Sequence, residues 1–73
     1  MKKTPTVEIE LRNLSKTLRM LRKQNRLTLK AVAADIGMSH SFISDVERGR
    51  TNPSLETIRK LARCYHTWIK VTF

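Results

Sequence analysis

The side chains in this sequence best suited to chemistry are cations. Six basic residues lie from Arg12 to Arg26, with no acid among them. Arg12, Lys16, Arg19, Lys23 and Arg26 recur every three or four positions, so a helix would carry them on one face. Such a face is either a solvated surface or a set of phosphate ligands, and the residue types fit both. The whole chain carries a formal net charge of +9, with a pI near 10.7. An excess of that size points to a polyanion, nucleic acid first and an anionic membrane surface second. Two histidines and one cysteine, scattered, do not make a zinc site. No paired carboxylates, no nucleophile beside a base and no phosphate-cradling glycine loop stand out. The expectation is therefore no enzyme, no cofactor and no small-molecule ligand.

Helices must hold such residues in place. A chain of 73 residues allows one domain, 1–73, with a modest core. Two prolines, two glycines and 40% apolar residues argue against disorder. No apolar run approaches the ~20 residues a transmembrane helix needs. The start, Met1 to Pro5, has charge but no apolar stretch behind it, so it does not read as a signal peptide. A lone cysteine makes no internal disulfide, which fits a reducing cytoplasm.

Met1 to Thr6 reads as a loose, basic lead-in. Val7 to Leu11 alternates apolar and charged residues at strand period, although Val7, Leu11, Leu14, Leu18 and Leu21 also fit one helical stripe. The alternation of β-branched residues with Glu favours the strand. The first clear helix runs from Leu14 to Gln24, with Leu14, Leu18 and Leu21 inward and Asn13 placed to cap it. Thr28 caps a second helix, striped by Val32, Ala33 and Ile36. Gly37 supplies a turn with positive φ. Ser39 caps a third helix, striped by Phe42, Ile43 and Val46. Gly49 ends that helix, and Arg50 to Pro53 is a loop. Ser54 caps a fourth helix from Leu55 to about Tyr65, with Leu55, Ile58, Leu61, Ala62 and Tyr65 inward. Cys64 is an inert packing residue. The tail, Thr67 to Phe73, is almost all β-branched and aromatic and reads as a strand. A single strand on a helical domain leaves its edges unpaired. Its partner is either Val7–Leu11 of the same chain or the same tail of another chain.

The small Ala33, the turn glycine, the apolar positions and the run Ile43-Ser-Asp-Val-Glu-Arg-Gly49 together resemble the helix-turn-helix of the Xre and Cro/cI-like repressor family. The resemblance covers roughly Leu14 to Tyr65. It implies a mainly α fold: a four-helix repressor-like domain with a helical core over 12–65. A short C-terminal strand, and a short N-terminal one where Val7–Leu11 is extended, would flank it. It implies a regulator that binds a double-stranded DNA operator as a homodimer, with repression the simpler expectation.

Matched to the family pattern, His40, Ser41, Ser44 and Asp45 face base edges in the major groove. Arg19, Lys23, Thr28, Lys30, Ser39, Arg48, Arg50 and Asn52 hold the DNA backbone. Asp45 repels phosphate, so it either reads a cytosine amino group or pairs with Arg48 to shape the helix. Family members usually carry Gln where this chain has Leu29, so one familiar DNA contact is missing, and Lys30 offers a charge beside it. Arg22 matches a first-helix arginine that pairs with the glutamate here numbered Glu47, a structural role. Some antitoxins with this domain pair strand-like tails across a dimer. By that resemblance Trp68, Ile69, Val71 and Phe73 make the dimer. The antitoxin reading, with a toxin as second partner, is one alternative. A non-specific nucleic-acid binder driven by charge alone is another.

Overall fold

The computed structural model describes residues 4–72. In chain order they form β1 (Thr6–Glu10), a 3-10 turn (Leu11–Asn13), α1 (Leu14–Gln24), α2 (Leu29–Ile36), α3 (His40–Glu47), α4 (Leu55–Cys64) and β2 (Trp68–Thr72). Each helix buries one stripe in a shared core. Leu14, Leu18 and Leu21 come from α1, Val32, Ala33 and Ile36 from α2, Ile43 and Val46 from α3, and Ile58, Leu61 and Ala62 from α4. Phe42 packs against this core only partly.

Three helix starts are fixed by local hydrogen bonds. Thr28 Oγ1 accepts from the Ala31 amide at 3.0 Å, Ser39 Oγ from Phe42 at 3.1 Å, and Ser54 Oγ from Thr57 at 3.1 Å. Each satisfies an amide that the first helical turn leaves without a partner. Between α2 and α3, Gly37 sits at φ 71°, where a Cβ would be strained. The amides of Gly37 and Met38 both turn back to the Ala33 carbonyl, which sends the chain straight into the Ser39 cap.

Two local expectations fail. Asn13 makes no side-chain cap. The 3-10 turn delivers the chain into α1 instead, and the Leu14 amide bonds to the Leu11 carbonyl. Leu55 is 61% exposed rather than inward. It stands next to the Ser54 cap at the helix start, and Thr57, whose hydroxyl lies 3.0 Å from that of Ser54, takes the buried place.

The tail is indeed a strand, and its partner is in its own chain. β1 and β2 pair in parallel, with Thr6 opposite Trp68, Glu8 opposite Lys70 and Glu10 opposite Thr72. Ile9 is buried in the core, and Val7, Ile69 and Val71 pack against it, while Glu8, Trp68 and Lys70 turn outward. The lead-in is anchored at Pro5. Its carbonyl accepts from the Trp68 amide and the Thr67 hydroxyl, both at 2.8 Å. Met1 to Lys3 and Phe73 lie outside the described residues, and with them the expected role of Phe73 in dimerisation.

Candidate nucleic-acid interface

α3 has two faces of different chemistry. Ile43 and Val46 point into the core, while His40, Ser41 and Arg48 are exposed and Ser44 and Asp45 are half-buried at the rim. At 3.6 residues per turn, His40, Ser44 and Arg48 form one outward line, with Ser41 and Asp45 beside it. The N-terminal end of this line starts at the Ser39 cap, where the helix dipole favours an anion.

The other helices bring charge to the same place. Arg19, Arg22, Leu29, Ser44, Glu47 and Arg48 line a hollow of about 300 Å³ where α1, α2 and α3 meet. Arg19 also belongs to an open face of α1 with Lys16, Met20, Lys23 and Gln24, so the cationic surface of α1 runs on to α3. Lys30 is exposed on the first turn of α2. Leu29 puts an apolar side chain into the hollow. Thr28 and Ser39 both use their hydroxyl oxygen to cap a helix, which leaves the hydroxyl proton as the group each offers outward.

The five-residue basic line is shorter than its spacing implies. Arg12 lies in the 3-10 turn, where its Nε donates to Glu10 at 2.6 Å, and Arg26 follows α1 with a left-handed φ of 56°. Lys16, Arg19 and Lys23 remain. Asp45 has Arg50 as its cation at 3.8 Å, not Arg48, because the Arg50 amide folds back on the Asp45 carbonyl at 2.9 Å. Arg48 is thereby left to the hollow. Asn52 lies apart from that hollow, in a second one with Arg12, Ser15, Gly49 and Thr51.

One ion pair stiffens the arrangement. Arg22 Nε donates to Glu47 Oε2 at 2.8 Å and its Nη2 to Oε1 at 3.1 Å, while Nη1 donates to the Leu27 carbonyl at 2.8 Å. The side chains are 12% and 6% exposed. The hydrogen bonds to Glu47 raise the Arg22 pKa, and burial opposes them. Beside the pair, burial pushes the Tyr65 phenol up, and the Glu47 charge adds to that. Burial likewise pushes the Cys64 thiol up to about 12, with Asp35 contributing, so it is a poor nucleophile at neutral pH.

Among the described residues no cluster of His, Cys, Asp and Glu could hold a metal ion, and no helix is long and apolar enough to cross a membrane. Sequence reading passed over Arg59 and Arg63. Their spacing of four on α4 was the available signal.

Similarity to known proteins bears on this surface. The family model described as helix-turn-helix matches residues 18–67. The chain is 50% identical over 52 residues to the HTH-type transcriptional regulator DdrOP3 of Deinococcus deserti, covering 71% of this chain and 40% of that protein. It is 38% identical over 45 residues to the immunity repressor protein of Bacillus phage phi105, covering 62% of this chain and 31% of that one. The chain thus spans well under half the length of these two relatives. Among solved structures, the restriction-modification controller protein C.AhdI from Aeromonas hydrophila superposes with a TM-score of 0.72 at 34% identity, over 75% of this chain and 83% of that one. With the family match running over most of its length and across α2 and α3, the chain belongs to the helix-turn-helix family of DNA-binding transcription regulators, the Xre and Cro/cI-like group.

Proposed function

We propose that the protein binds a specific duplex operator as a homodimer and represses transcription from it, working in the cytoplasm where the DNA is. The observation that carries this is the outward line of His40, Ser44 and Arg48, of which Ser44 and Arg48 share one hollow with Arg19. Laid in the major groove, α3 presents His40, Ser41 and Ser44 to base edges, and Asp45 to a cytosine amino group once Arg50 swings to a phosphate. Arg19, Lys23, Lys30, Arg48, Arg50 and Asn52 hold the backbone on either side, helped by the hydroxyl protons of Thr28 and Ser39. The phage immunity repressor among the relatives supports repression.

Two half-sites one turn apart, about 34 Å, need two copies held at that distance. Among the described residues no strand pairs with the outer edge of β2, and Trp68 is 64% exposed beside it. Antiparallel pairing of two such edges about a two-fold axis gives a four-stranded sheet. Ile69 and Val71 stand on its core side and Trp68 on its outer side. The test is selection of bound duplexes from a random pool. A two-fold symmetric consensus supports the reading, and no enrichment overturns it in favour of charge-driven, non-specific binding.

A further inference from the structure

The cationic groove between α4 and β2 takes no part in the DNA contacts, and its Trp68 and Ile69 also border the β2 edge proposed for the second copy, so an occupant here would compete with that pairing. Arg59, Arg63, His66, Trp68, Ile69 and Thr4 line the groove, and its volume is about 610 Å³. It shares no residue with the hollow at α1, α2 and α3. Among the described residues no carboxylate lines it. Lys60 on the same helix has Glu56 as an i,i+4 partner at 3.9 Å, yet among the described residues no acid pairs with Arg59 or Arg63. These two stand one helical turn apart beside an indole that is 64% exposed.

We infer that this groove docks a short acidic segment of a partner protein, with an apolar side chain set against Trp68 and Ile69 and carboxylates on Arg59 and Arg63. The volume suits one or two anchoring side chains rather than a folded element. Trp and Arg together are what a small protein interface concentrates its energy in. A duplex backbone brings phosphates for the arginines but nothing to cover the indole and Ile69. A second copy, placed groove to groove, would bring Arg59 and Arg63 of both copies together, which like-charge repulsion opposes. Opposite charge with an apolar anchor answers both halves of the groove.

The probe is a fluorescein-labelled synthetic peptide with glutamates flanking a Leu-Phe pair, followed by anisotropy. Trp68, the one tryptophan, is the second readout. The parent chain should bind and its tryptophan emission should move to shorter wavelength. The double change Arg59→Glu, Arg63→Glu should weaken binding by about tenfold or more, equivalent to about 1.4 kcal/mol. The double change Lys16→Glu, Lys23→Glu alters net charge equally and should leave peptide binding near the parent value. Circular dichroism checks folding, and Arg59→Gln with Arg63→Gln replaces the reversal if that unfolds the chain. Equal loss in both charge-reversed proteins, or a polyglutamate peptide binding as tightly, would reduce the effect to net charge and overturn the proposal. If the Arg59, Arg63 change abolishes duplex binding to the same extent, the groove is a nucleic-acid surface instead. Operator selectivity plays no part in these readouts, so they stand or fall apart from the DNA reading.

Discussion

Arg22 and Glu47, 25 residues apart in sequence, meet in a two-bonded pair with little solvent access, and the third Arg22 bond ties in the loop between α1 and α2. Removing one partner strands the other as a buried charge. Glu47→Ala should therefore cost about 3–5 kcal/mol. In a domain of this size each kcal/mol moves the melting point by about 4–8 °C. Thermal unfolding by circular dichroism should show a drop of roughly 12 °C or more. A melting point close to the parent would mean that the pair adds no net stability.

Ser44 and Asp45 carry the specificity prediction. Ser44→Ala should change which duplexes are enriched, at about 1–3 kcal/mol per lost base contact. Asp45→Ala separates two roles. A base reader alters the consensus, whereas a mere partner of Arg50 leaves the consensus alone. The two consensus sequences, compared with the parent's, decide.

Arg48 and Arg19 reach the same hollow, and as backbone ligands they should act on every duplex alike. Each phosphate neutralised contributes about −0.9 to the slope of log affinity against log salt. Arg48→Ala should flatten that slope by about one unit. Titrations at several salt concentrations on cognate and unrelated duplexes measure it, and a change confined to the cognate duplex would move Arg48 among the base readers.

Cys64 and Tyr65 make stability sensitive to alkali. Both pKa values are raised in the folded chain, the thiol from 9.0 to about 12. A raised folded value means the folded state holds its proton where the unfolded state has lost it. The thiol's contribution is complete below about pH 9 and declines as pH climbs through the window up to about 12, and the phenol's declines in the same sense at higher pH. Melting points of the parent should be level below that window and fall within it, and Cys64→Ala should fall less steeply. A parallel decline in both would remove the thiol from the account.

The tail offers a cleaner variant than truncation. Deleting β2 would uncover Ile9 and the other residues that strand covers, so loss of a dimer and loss of stability would coincide. Trp68→Ala changes an exposed side chain, which costs within about 0.5 kcal/mol in most settings. Sedimentation should show this variant as a monomer where the parent is a dimer. A dimer at equal concentration would put the interface on the helices.

Much of the fold was readable because its causes are local. A hydroxyl three residues before an amide makes the caps at Thr28, Ser39 and Ser54, and a stripe of period 3.6 marks each buried helix face. Leu55 and Asn13 misled for the same reason: a stripe and a cap residue describe a helix already under way, and both sit where the chain is still entering one. The partner of the tail was beyond such reasoning. Alternation identified two strands, but pairing Thr6 with Trp68 depends on how four helices bring the ends together. In the candidate interface, the face of α3 followed from periodicity. The Asp45–Arg50 contact depended on the turn after Gly49, and the groove at Arg59 and Arg63 on where β2 came to rest.

The bond from the Thr67 hydroxyl to the Pro5 carbonyl spans 62 residues, while the helix caps and turns span three to five. Local contacts form early and distant ones late, because a long loop must first be closed. The helices can thus assemble before the strands zip together, and the strands can part while the helices persist. In hydrogen exchange, the amides of β1 and β2 should open at a lower free energy than those of α1 to α4, as a separate cooperative unit. α3 would then keep its shape while β1 and β2 come and go, so under the proposed function reading DNA and holding a second copy would be separable in time as well as in space.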